Sequence, residues 1–352
     1  MTLILLLSIF QLARFACGAP LAPALYIFGD SLSDDGNNNF LPTVAKANFL
    51  PYGEIFPAGA TGRFTNGRTV ADFIAEFLKL SYPPPSMSVK ASSSITGVNY
   101  ASGACGILPK TGSVFGKCLN LDEQLHKFKI RAKTEVPRQL KSKNETIKYL
   151  ASSIFLFSIG SNDYLGNYLD PQHFDSSKRY SPQQFAQLLV YKLSHAFKRV
   201  YKLGGRKFIT FELGPLGCIP AIAKTIPHKG KCMEETNQMI SLFNKNLAVA
   251  IQKLTVSLPG SQFVYGRINA LSYDLITNPS KYGLKDTSNT CCDALNNGTS
   301  TCIRGKISCP NPEQFYFFDA FHPTELPYSL IASHCINDRS ICSPTLKEFV
   351  KL

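Results

Sequence analysis

The chain has 352 residues, 44% of them hydrophobic and 17% charged, a balance that excludes an intrinsically disordered chain and supports a substantial packed core. A formal net charge of +13 reads first as a soluble basic surface; the sharper alternative is weak association with an anionic cell wall or membrane surface. No dense Lys/Arg block interleaved with aromatics is present, so nucleic acid is not an expected partner.

The chain opens on an apolar run, residues 3–10, followed by the small residues Ala16-Cys17-Gly18. This predicts a signal peptide over 1–18, cleaved before Ala19, with 19–352 forming a single domain. No Lys or Arg precedes the run, so only the α-amino group supplies positive charge there. Arg14 interrupts the apolar stretch too early for a membrane anchor, which needs about 20 residues. The expectation is a secreted, extracellular protein. Cysteine usage agrees with export: there are eleven, and loss of Cys17 leaves an even number free to pair in an oxidising compartment. Connectivity is not deducible from sequence, but candidate local pairs are Cys105 with Cys118, Cys218 with Cys232, and Cys335 with Cys342. Cys291, Cys292, Cys302 and Cys309 would pair among themselves in an order that spacing leaves open. They lack the paired C-x-x-C knuckles and nearby His of a zinc site. Asn144 and Asn297 head N-x-T sequons and are candidate glycosylation sites.

Runs at 24–28, 153–159, 206–211 and 262–268, with a weaker one at 95–100, are continuously apolar, as buried parallel strands are. Helical spacing occupies 69–80, and Ser181-Pro182 is an N-cap with Pro at the first helical position, opening a helix to about Leu203. Another helix is predicted over 233–258, stopped by Pro259-Gly260. Strands alternating with helices imply a parallel sheet covered on both faces, with ligands beyond the carboxyl ends of the strands. The segments at those ends are GDS after Phe28, ASGACG after Tyr100, SIGSND after Phe157 and ELGPLG after Phe211.

A hydrolytic serine needs a base, a group that orients the base, and donors for the oxyanion. The G-x-S-x-G elbow is absent, so any active serine sits in a different turn. Near the C-terminus, FYFFDAFHPTE puts Asp319 three residues before His322. An Asp at that offset in a tight turn can hold imidazole Nδ1–H and leave Nε2 free as a base; Asp319 could equally be a helix cap, with Pro323 as first helical residue. Asn162 offers a carboxamide N–H for an oxyanion, or is a turn residue. Gly103 offers an unobstructed backbone N–H, or is a turn glycine.

Together GDSLSDDGNN, NYASGACGIL, FSIGSNDY, FITFELGPLGCIP and FFDAFHPTE, in that order over about residues 24–335, resemble the plant-type GDSL esterase/lipase family of the SGNH hydrolases. The resemblance implies a three-layer α/β/α sandwich with a flavodoxin-like parallel sheet. It implies Ser31 as nucleophile, His322 as base and Asp319 as its orienter. The oxyanion hole would comprise the N–H groups of Ser31 and Gly103 and the side chain of Asn162. Ser33 has no counterpart in the family pattern. Phe318 stands where the family usually has Trp, and Cys105 where it commonly has a small residue. The expected activity is hydrolysis of acyl esters of lipid or acylated carbohydrate, with no metal or organic cofactor. The same acyl-enzyme could serve an acyltransferase acting on lipid or sugar hydroxyls. A third reading is an extracellular binding protein with weak catalysis.

Overall fold

A computed structural model describes residues 19–225 and 227–352; the expected signal peptide and Cys17 lie outside them. Along the chain run β1 (Leu25–Gly29), α1 (Val70–Phe77), β2 (Gly97–Asn99), α2 (Leu121–Ile130), α3 (Lys143–Ser152) and β3 (Ile154–Ser158). They are followed by α4 (Pro182–Lys202), β4 (Lys207–Phe211), α5 (Glu234–Ser257), β5 (Gln262–Gly266) and α6 (Ile268–Thr277). The C-terminal part adds β6 (Asp286–Thr290), β7 (Phe315–Phe317), α7 (Glu325–Asn337), β8 (Cys342–Ser343) and α8 (Leu346–Phe349).

The main sheet has the order β2-β1-β3-β4-β5-β8; every pair is parallel except β5 with β8. The order 2-1-3-4-5 is the flavodoxin-like one, and its switch point lies between β1 and β3. Strand residues alternate between two different cores. Tyr26, Phe28, Phe155, Phe157, Phe208 and Phe263 point to an aromatic layer shared with α2, α4 and α5. Phe28 stacks on Phe157 and Phe208 on Phe263, each with ring centroids 4.7 Å apart. Leu25, Ile27, Leu156, Ile209 and Val264 point to an aliphatic layer shared with α1, α7 and α8. Burial on both faces is why these strands read as continuous apolar runs. The fold is thus the expected three-layer α/β/α sandwich.

Helix starts follow local chemistry. Thr69 with Asp72, Asn120 with Glu123 and Ser181 with Gln184 each form a capping box. Two boundaries differ from expectation. The fifth strand stops at Gly266, and Ile268 already begins α6. Pro323 is not a first helical residue: α7 starts at Glu325 with Thr324 as N-cap, and Pro323 instead bridges to Phe317. All ten described cysteines form disulfides: Cys105–Cys118, Cys218–Cys232, Cys291–Cys309, Cys292–Cys302 and Cys335–Cys342. The last cluster is therefore bonded sulfur, with no thiolate left to hold zinc.

Candidate active site

The carboxyl ends of β1 and β3 flank the switch point, and Ser31 and Asn162 follow them directly. After β1 the chain makes a helical turn: the N–H groups of Ser33 and Asp34 both donate to Asp30 O, and Leu32 N–H donates to Asp30 Oδ1. Ser31 N–H opens that turn and has no hydrogen-bond acceptor among the described residues. This is the position at which a helical turn leaves a donor unsatisfied.

His322 arrives from the loop after β7. Its Nε2 lies 2.7 Å from Ser31 Oγ, and its Nδ1 lies 2.8 Å from both Asp319 oxygens. These partners assign the tautomer: Nδ1–H donates to Asp319, and Nε2 accepts from the Ser31 hydroxyl. Asp319 Oδ1 also accepts from the N–H groups of Phe321 and His322 at 2.9 Å. The carboxylate therefore closes its own turn and fixes the imidazole three residues on. Asp319 is fully buried, His322 is 5% exposed and Ser31 9%, so the line Asp319–His322–Ser31 becomes more exposed toward the serine.

Asn162 sits in the single turn Ser161–Asp163 after β3. One N–H of its carboxamide donates to Cys105 O at 3.0 Å, which leaves the other for the cleft. Gly103 does not match its expected role. Its N–H donates to Asp34 Oδ2 at 2.9 Å, and the cleft wall at this point is Ala104. Ala104 holds a positive φ of 65°, and its N–H has no acceptor among the described residues. The glycine at 103 has a steric reason instead. A Cβ there would stand 2.7 Å from the Phe64 ring and 2.9 Å from Asn38 Nδ2, and Phe64 packs on His322 with ring centroids 5.1 Å apart.

The polar residues after Ser31 act as a clamp. Asn37 Nδ2 donates to the carbonyls of Asn99 and Ala101, Asn38 Nδ2 to Gly103 O, and Asn99 Nδ2 to Ser33 O. Asp163 adds a second clamp, accepting from Ile107 N–H, Leu108 N–H and the Thr111 hydroxyl. Together these lock the loop after β2 against the turns after β1 and β3. Ser33 is buried and takes part only through its backbone. Tyr52 was not foreseen. It is fully buried, its hydroxyl donates to Asp319 Oδ2 at 2.6 Å and accepts from Cys302 N–H at 3.2 Å. Nothing local marks it, because its partner lies 267 residues away.

Asp30, next to the serine, is almost fully buried. Burial pushes its carboxyl up to about 7, against the lowering effect of Leu32 N–H and the nearby His322. No group of three or more His, Cys, Asp and Glu side chains suited to a metal ion occurs among the described residues. No helix among them is long and apolar enough to cross a membrane.

A family profile described as GDSL-like Lipase/Acylhydrolase matches residues 25–335. GDSL esterase/lipase 7 of Arabidopsis thaliana is 42% identical over 318 residues, covering 89% of this chain and 87% of that protein. A second Arabidopsis thaliana GDSL esterase/lipase is 41% identical over 333 residues, covering 93% of this chain and 85% of its own length. A solved phospholipase A1 from Streptomyces albidoflavus NA297 aligns with 89% of this chain and 98% of its own, at 12% identity and a TM-score of 0.36, too slight a likeness to argue from. The profile spans the segments that carry Ser31, Asn162 and His322, and the two plant relatives cover most of the chain: the chain belongs to the GDSL-like lipase/acylhydrolase family, a family of carboxylic ester hydrolases.

Proposed function

We propose that the protein is a secreted serine esterase of acyl lipids in which Ser31, His322 and Asp319 form the catalytic triad. The observation that carries this reading is the unbroken hydrogen-bond line from Ser31 Oγ through both nitrogens of His322 to Asp319. His322 Nε2 takes the hydroxyl proton as Ser31 Oγ attacks the ester carbonyl. The tetrahedral intermediate collapses as His322 returns that proton to the leaving alcohol. Water, deprotonated by the same nitrogen, then releases the acid from the acyl-enzyme. The developing oxyanion is held by Ser31 N–H, the free carboxamide N–H of Asn162 and, in place of Gly103, the N–H of Ala104. The αL backbone at 104 costs about 1–2 kcal/mol for a residue with a Cβ, a strain compatible with aiming a donor into the cleft.

Ser31→Ala is the direct test. It abolishes ester turnover while the melting transition is retained; turnover at the wild-type rate would sink the assignment. Asn162→Ala lowers turnover by about 10²–10³; an unchanged rate removes Asn162 from the oxyanion site. Export is supported by the full pairing of the described cysteines and by the exposure of both sequon asparagines, Asn144 and Asn297. A mass shift on endoglycosidase treatment of protein recovered from the medium of secreting cells checks both together. The basic net charge supports weak adhesion to anionic cell wall, readable as release by salt.

A further inference from the structure

The cleft beside Ser31 continues into a cavity of about 810 Å³, near the top of the range of about 300–1,000 Å³ for small-molecule pockets. An acetyl group would occupy a small part of it. Its lining has a polar part and an apolar part. Asp30, Asn162 and His322 make the end near Ser31 polar. Beyond them the cavity enters the aliphatic side of the sandwich, between the sheet and helices α1, α6 and α7. There Leu156, Ser272, Ile276, Tyr316 and Ile331 line it, and all five are buried. Part of the space therefore lies within the core.

Helix α6 gives this channel a length. Ile268, Ser272 and Ile276 all line it at spacing i, i+4, i+8, one face of the helix, and span about 12 Å along its axis. A hydrocarbon advances roughly 1.3 Å per carbon, given C–C bonds of about 1.5 Å, so about nine carbons follow that stripe. The mouth is apolar as well. Val44, Val114, Phe115 and Leu295 line it at 79%, 43%, 42% and 48% exposure. Apolar side chains gathered at an opening mark a surface that meets an apolar ligand.

We propose that the substrate is a fatty-acid ester whose acyl chain, roughly ten carbons or more by the length of this channel, passes from Ser31 into the core between the sheet and α1, α6 and α7. The proposal rests on the reading of Ser31 as nucleophile. It selects lipid over acetylated carbohydrate as substrate and makes Val70, Ser272 and Ile276 determinants of chain length.

The test compares kcat/KM for p-nitrophenyl butyrate and laurate at one fixed detergent concentration. Each buried methylene contributes a factor of about three to four, so the wild-type protein favours laurate by at least tenfold. Ser272→Phe places a ring in the channel and lowers the laurate-to-butyrate ratio tenfold or more. Val70→Phe narrows the channel from α1, at a half-buried position, and gives the same fall should the first variant not fold. A wild-type ratio at or below one overturns the proposal, as does an equal loss on both esters in both variants. No turnover of either ester by the wild-type protein would overturn the nucleophile assignment and this inference with it; a flat ratio overturns the channel alone.

Discussion

Replacing Tyr52 by Phe removes one oxygen from the buried end of the triad. The ring keeps its packing, since Tyr52 lies edge-on to Phe49 and Phe318 with centroids 5.3 and 5.5 Å away. Two hydrogen bonds go: the 2.6 Å bond donated to Asp319 Oδ2 and the 3.2 Å bond accepted from Cys302 N–H. The first has a charged acceptor and is worth about 1.5–3 kcal/mol; the second leaves a buried N–H unpaired at about 1 kcal/mol. Unfolding free energy should therefore fall by about 2.5–4 kcal/mol. Part of the loss reaches catalysis. Asp319 Oδ2 is left with His322 Nδ1 as its remaining hydrogen-bond partner, so the carboxylate is held less firmly against the imidazolium that forms at the transition state. If about 1.4 kcal/mol of the lost bond is expressed there, kcat falls about tenfold. KM should barely move, because Tyr52 does not line the cavity. Denaturant unfolding and steady-state kinetics on one short-chain ester read both effects. An unchanged kcat together with an unchanged midpoint would refute the view that Tyr52 holds Asp319.

Gly103→Ala should lower stability by about 1–3 kcal/mol, the cost of overpacking, because the new Cβ meets the Phe64 ring. It should also reduce kcat, since Phe64 packs on His322; circular dichroism melts and kinetics measure the two. The buried carboxyl of Asp30 makes stability depend on pH. Its native pKa is raised from 3.8 to about 7 by burial, so between about pH 4 and pH 7 the native state keeps a proton that the unfolded chain has released. Stability therefore falls as pH rises through that window, by up to about 4 kcal/mol from this group. Burial raises Asp34 and Asp163 to about 6 in the same direction. Asp30→Asn should make the fall of melting temperature with pH shallower, and an unaltered slope would contradict the assignment. Replacing both Cys105 and Cys118 by Ala opens a cross-link of sequence separation 13, worth about 3 kcal/mol in the chain-entropy account. Turnover should also drop, because Cys105 O anchors the Asn162 carboxamide.

The parallel sheet was legible because its strands are buried on both faces, and the four longer apolar runs came within two residues of β1, β3, β4 and β5. The strand-end rule then led to the loops carrying Ser31 and Asn162, because the flavodoxin-like order brings β1 and β3 side by side. Helix α2 lies outside the predicted elements, although Leu121, Leu125 and Phe128 have helical spacing and Asn120 with Glu123 forms a capping box. Strands β6, β7 and β8 were not legible: β6 (DTSNT) is wholly polar, and β7 and β8 have only three and two residues. At the site, the spacing of Asp319 and His322 carried real information, since a three-residue offset allows the carboxylate to close the turn and hold the ring. Gly103 misled because a glycine signals close approach without saying what approaches; here it is Phe64. Tyr52, Asp34 and Asp163 act across large sequence separations, and only the fold brings their partners within reach.

In the proposed reaction the acyl group passes through Ser31 Oγ. Labelling with a p-nitrophenyl alkylphosphonate, followed by peptide mass analysis, tests it most directly. One equivalent of label per chain is expected, on Ser31 and not on Ser33, with loss of ester turnover in step with labelling and very slow labelling of His322→Ala. Full inactivation with the label on another residue, or stoichiometric labelling of Ser31 that leaves turnover intact, would contradict it.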